Sequence, residues 1–81
     1  MYKNRAQDGR NNLAGIKIKE LRQALKDNVS QREFAEMLQV AGLDLDKNAI
    51  SRIEAGDRFI TDIELRMIAM IFDVSVDELL S

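Results

Sequence analysis

The run Lys47-Asn48-Ala49-Ile50-Ser51-Arg52-Ile53-Glu54-Ala55-Gly56 carries the side chains best suited to reading another molecule. On a helix advancing about 100° per residue, Lys47, Ser51, Ala55, Asn48 and Arg52 fall within one arc of about 140°. Ala49, Ile50 and Ile53 fall on the opposite side. Lys and Arg donate to guanine edges, Asn pairs bidentately with adenine, and Ser bonds either. A short helix with those groups on one face and an apolar seam on the other fits a DNA major groove. An ordinary solvated helix face uses the same residue types, so the surrounding elements have to decide between the two.

Four sites share one arrangement, in which a polar residue follows an apolar one and another apolar residue stands four positions after it. These are Val29-Ser30 with Phe34, Leu45-Asp46 with Ile50, Ile60-Thr61 with Leu65, and Val74-Ser75 with Leu79. Each reads as an N-cap flanked by a hydrophobic staple. Ser30 with Glu33, Thr61 with Glu64 and Ser75 with Glu78 also have the spacing of a capping box. The caps and the apolar spacing predict five helices, over residues 12–27, 31–41, 47–55, 62–73 and 76–80. Asn28 and Gly56 are their left-handed stops, and Gly42 makes a turn.

The expected core comprises Phe34, Leu38, Ile50, Ile53, Leu65, Ile68 and Phe72, with Ile18, Leu21, Leu25 and Ala41 on the inner stripes of the first two helices. Ile63, Met67 and Met70 form a second stripe on the fourth helix, read first as core and otherwise as interface. Residues 1–11 are polar and unpatterned, and read as a mobile arm before a single domain at 12–81. Lys3, Arg5 and Arg10 of that arm have two readings, as DNA contacts or as part of a solubilising tail.

An 81-residue chain has room for one domain with a modest core. The absence of proline and the presence of only four glycines favour an all-α chain. Without cysteine or histidine there is no disulfide, no usual zinc set and no Ser-His or Cys-His nucleophile pair. No enzymatic activity, metal or cofactor is expected. The longest apolar run, Met67 to Phe72, is six residues and too short to span a bilayer. The N-terminus has no apolar signal-peptide core, so a cytoplasmic protein is expected.

The net charge of −2 conceals a division along the chain. Residues 1–32 hold eight basic and three acidic side chains, whereas residues 33–81 hold four basic and eleven acidic ones. A basic front and an acidic back suit a molecule that turns one side to phosphate.

Helices two and three together resemble the helix-turn-helix domain of the Cro/C1 (lambda-repressor-like, XRE) family. The resemblance rests on Ser30-Gln31-Arg32-Glu33-Phe34-Ala35-Glu36-Met37-Leu38, on Ala49-Ile50-Ser51-Arg52-Ile53-Glu54-Ala55-Gly56, and on the closing Val74-Ser75-Val76-Asp77-Glu78-Leu79-Leu80. It implies a compact five-helix domain in which the third helix enters the major groove and the second crosses the backbone. By position it assigns base contacts to Lys47, Asn48 and Arg52, with Ser51 beside them. It assigns phosphate contacts to Ser30, Gln31 and Arg58, and Arg32 stands in the same turn as a further candidate. It also implies an Arg22–Glu54 ion pair that serves as scaffold.

Helix one before Ser30 and helix two both read as longer than the family pattern, and two further features depart from it. The turn between helices two and three is lengthened, with five residues from Gly42 to Asp46 where about 3–4 are usual. Leu43 and Leu45 are expected to pin this insert to the core. Asp57 stands where the family often has a basic residue.

The function these readings imply is a bacterial or phage transcriptional regulator, expected to be a repressor. It would bind double-stranded DNA as a homodimer and associate with the nucleoid when bound. Dimerisation through helix five and the edge of helix four is one reading of the second stripe. The alternative is an antitoxin or co-regulator whose acidic half grips a protein partner, in keeping with an isoelectric point near 5.0.

Overall fold

The computed structural model describes residues 9–25 and 28–81. Their order is α1 (Gly15–Ala24), α2 (Gln31–Val40), α3 (Lys47–Ala55), α4 (Asp62–Phe72) and α5 (Val76–Leu80), with no strand among the described residues. Local chemistry sets four of the helix starts. The Ser30 hydroxyl accepts from the Glu33 amide at 3.1 Å, and the Glu33 carboxylate accepts from the Ser30 amide at 3.1 Å. Thr61 and Glu64 repeat the exchange at 3.1 and 3.0 Å. Asp46 Oδ1 accepts from the Ala49 amide at 2.8 Å. At Ser75 only the hydroxyl half of the expected box forms, with the Glu78 amide at 3.1 Å. Each cap satisfies an N–H that the helix leaves unpaired and contributes about 1 kcal/mol.

Helix α1 is shorter than its apolar spacing predicts. Asn12 stands before it, accepting from the Gly15 amide at 2.7 Å, so the chain becomes helical only at Gly15. Leu25 turns extended, with ψ 151°, and ends the helix there. Asn28 is left-handed as expected, with φ 51°, but lies beyond the helix end. Ala41, expected on the buried stripe of α2, is exposed because the helix stops at Val40 and the chain then turns at Gly42.

Every helix contributes to the core: Ile18 from α1, Phe34 and Leu38 from α2, Ile50 and Ile53 from α3, Ile68 from α4 and Leu79 from α5 are all fully buried. Phe34 stacks on Phe72 with ring centroids 5.0 Å apart. Phe72 and Leu65 are half-buried rather than enclosed, and pack on the rim of this cluster. The insert is held as its leucines predict. Leu45 is buried, Leu43 packs against the core, and the Gln39 side chain donates to the Leu45 carbonyl at 3.1 Å.

The second stripe of α4 does not enter the core. Ile63 is 67% exposed and Met70 69%, with Met67 half-buried. The helix packs through Leu65, Ile68, Ala69 and Phe72, which leaves that stripe outside.

Candidate nucleic-acid interface

Helix α3 divides as its spacing predicts. Ile50, Ile53 and Glu54 are buried, and Lys47, Asn48, Ser51 and Arg52 are exposed. Among the described residues, none of these four exposed side chains is tied into a hydrogen bond or ion pair. Burial of the isoleucines fixes the rotation of the helix about its axis. The polar row therefore faces away from the core over the first two turns.

Glu54 anchors the other side. Its carboxylate accepts from Arg22 Nε at 2.7 Å, Arg22 Nη2 at 3.0 Å and Gln31 Nε2 at 2.9 Å. Arg22 also donates to the Val29 carbonyl at 2.7 Å. The side chains of Arg22 and Glu54 are only 9% and 3% exposed, so each charge depends on the other for compensation. One carboxylate thus joins α1, α3 and the start of α2. The family resemblance implies the ion pair, but not the role of Gln31 in it.

The segment before α1, expected to end a mobile arm, is held against α3 over its described residues 10–12. Arg10 Nη2 donates to the Glu54 carbonyl at 2.8 Å and Nη1 to the Ala55 carbonyl at 3.3 Å. The Asn11 amide donates to the Gly56 carbonyl at 2.8 Å, and Asn11 Nδ2 to the Asp57 carbonyl at 3.0 Å. Asn12 Nδ2 donates to the carbonyls of Ile53 at 3.0 Å and Arg58 at 2.7 Å. A helix end presents unpaired carbonyls and partial negative charge, which a guanidinium and amides satisfy. Arg10 is therefore committed to α3. An Asn three residues before a helical amide is a capping signal that marks the start of α1, but nothing in the sequence marks the bonds to α3. Lys3 and Arg5 lie outside the described residues.

The expected phosphate contacts fall at the start of α2 and after α3. Ser30 and Arg32 are exposed, whereas Gln31 is half-buried with its amide on Glu54. The N-terminus of α2 adds the positive end of a helix dipole. Arg58 is engaged elsewhere, with Nη1 donating to Glu64 Oε1 at 2.9 Å and to the Phe59 carbonyl at 3.0 Å, and Nη2 to Glu64 Oε2 at 3.0 Å. A phosphate at Arg58 would share it with a carboxylate.

That hydrogen-bonded pairing raises the Arg58 pKa and holds the Glu64 carboxyl below its ordinary value of 4.5, against the opposing effect of burial. A lowered carboxyl stabilises the fold above its ordinary pKa, and the contribution fades as pH falls through the folded value. Unfolding free energy measured below about pH 4.5 should therefore drop more steeply for the native protein than for Glu64→Gln. Parallel curves would show that the pair adds nothing to stability.

Among the described residues no helix is long and apolar enough to cross a membrane. A helix-turn-helix family model matches residues 18–79, which takes in all of α2 to α4 and most of α1 and α5. Neither the curated proteins nor the solved structures give a match to the chain.

Proposed function

Because the chain belongs to the Cro/C1-type helix-turn-helix family of DNA-binding regulators, we propose that it represses transcription by seating α3 in the major groove of an operator. The observation that carries this reading is the exposed row Lys47, Asn48, Ser51 and Arg52 on a helix whose opposite face is locked into the core. Those four read base edges. Ser30, Gln31, Arg32 and the N-terminus of α2 hold phosphate, and Arg58 adds charge beside them. Phosphate contacts then set register and most of the affinity, and base contacts set the sequence.

The protein acts as a homodimer on an inverted repeat, with half-sites about 34–36 Å apart. Ile63 and Met70, two turns apart on α4, supply exposed apolar surface for the partner, and Leu80 of α5 adds to it. Its working place is the bacterial cytoplasm, at the nucleoid.

Arg52→Ala should cost about 1–3 kcal/mol of operator affinity and relax preference at one base position. Titration of duplexes varied one base pair at a time measures both effects. An unchanged preference would remove Arg52 from the reading face.

A second reading, as an antitoxin or co-regulator with a protein partner, rests on a different surface. Val29, Met37, Val40 and Ile71 line an open apolar groove edged by Glu33 and Glu36, with Val40 91% exposed. The chemistry of that groove suits a basic, amphipathic segment of another protein. Copurification of a basic partner that is lost in Val40→Glu would favour this reading.

A further inference from the structure

Six successive carbonyls, from Ile53 through Arg58, each accept a hydrogen bond from residues 10–12. A helix cap needs fewer partners, and these continue past the helix into the following loop. The backbones also approach closely at this joint. A Cβ on Gly15 would overlap the Ile53 carbonyl oxygen, and one on Gly56 would lie 2.7 Å from Arg10 Cζ. Gly56 has φ 86°, which brings the loop carbonyls round toward the strap. Asn12 is buried and spends both ends of its amide here, accepting from α1 and donating to α3 and the loop.

We propose that residues 10–12 are a positioning strap that seats the C-terminal end of α3 and thereby sets base discrimination by Lys47, Asn48, Ser51 and Arg52. The proposal rests on the DNA-binding reading above. Helix α3 has nine residues and spans about 13 Å at 1.5 Å per residue. A tilt of about 10° about its held end therefore displaces its far end by about 2 Å. Bidentate base contacts tolerate little displacement, because hydrogen bonds weaken steeply with distance and angle. Phosphate contacts by long flexible side chains follow the backbone and tolerate more. Loosening the strap thus lowers selectivity more than it lowers overall affinity for DNA.

The test uses the full chain, with Arg10→Ala, Arg10→Lys and Asn12→Ser, each confirmed folded by circular dichroism at the temperature of measurement. Serine keeps a short capping oxygen for α1 and lacks the amide that reaches α3. Affinities for a selected operator and for its scrambled duplex are measured at one salt concentration, and amide hydrogen exchange is followed by NMR.

Arg10→Ala and Asn12→Ser should lower the operator-to-scrambled ratio by about tenfold, the scale of one lost base contact. Arg10→Lys should fall between Arg10→Ala and the native protein. Exchange should quicken in the last turn of α3 and stay unchanged in α4. A purely stabilising segment would lower the melting temperature and leave the ratio of the folded protein unchanged, which would overturn the proposal. Equal losses on both duplexes would also overturn it, by making Arg10 a phosphate contact. A native protein that does not separate the duplexes would refute the base-reading role of α3 on which the proposal rests. Unchanged α3 exchange would refute the strap whatever the duplexes show.

Discussion

Arg22→Ala is expected to lower the free energy of unfolding by about 3–5 kcal/mol, the largest effect of any single substitution considered for this chain. Glu54 is almost wholly enclosed and accepts two hydrogen bonds from Arg22 and one from Gln31. Without the guanidinium a carboxylate stays in a low-dielectric site with one neutral donor, and the Val29 carbonyl loses its donor as well. Small domains have only about 5–15 kcal/mol in total, so the variant forfeits a large share. Urea denaturation monitored by circular dichroism measures the loss. Replacing both partners with apolar residues of similar size should recover much of it, because the penalty belongs to the orphaned charge. A loss under about 1 kcal/mol would put the pair with solvent-screened surface bridges and remove it from the scaffold.

Gly15→Ala should also destabilise, against the usual direction. Alanine in a helix is ordinarily better than glycine by about 1 kcal/mol. Here the added methyl would overlap the Ile53 carbonyl oxygen and lie 2.7 Å from Asn12 Oδ1. The backbone of α3 can yield only by breaking the contacts that hold it, and overpacking of this kind costs about 1–3 kcal/mol. In a domain of this size each kcal/mol moves the melting temperature by roughly 4–8 °C. The melting temperature of Gly15→Ala should therefore fall by several degrees or more. A rise would mean that α1 and α3 are not in close backbone contact.

The parts of the fold readable from sequence were those governed by neighbours along the chain. The starts of α2, α3, α4 and α5 lie where Ser30, Asp46, Thr61 and Ser75 put them, because a cap joins a side chain to an amide three residues on. Helix α3 and its left-handed stop at Gly56 follow from the same local rules. The Arg22–Glu54 pair was legible only through the family resemblance.

What escaped the sequence involves partners distant along the chain. The strap at residues 10–12 bonds to backbone carbonyls, which every residue type possesses and which leave no mark in the sequence. Arg58 looked like an available cation because nothing local shows that Glu64 will turn back to meet it, one turn into the next helix. Periodicity located a second apolar stripe on α4 correctly, but it cannot say whether another element covers that stripe. Ile63 and Met70 remain exposed because α4 packs against α2 and α5, with Leu65, Ile68, Ala69 and Phe72 as its residues in or on the core.

The most direct test of the central claim is selection of bound duplexes from a random DNA pool by the native protein at low salt. The account predicts an enriched inverted repeat whose half-sites lie about one helical turn, 10–10.5 base pairs, apart. A folded, helical protein that enriches no sequence would contradict it, because the four exposed side chains of α3 would then not read bases as proposed.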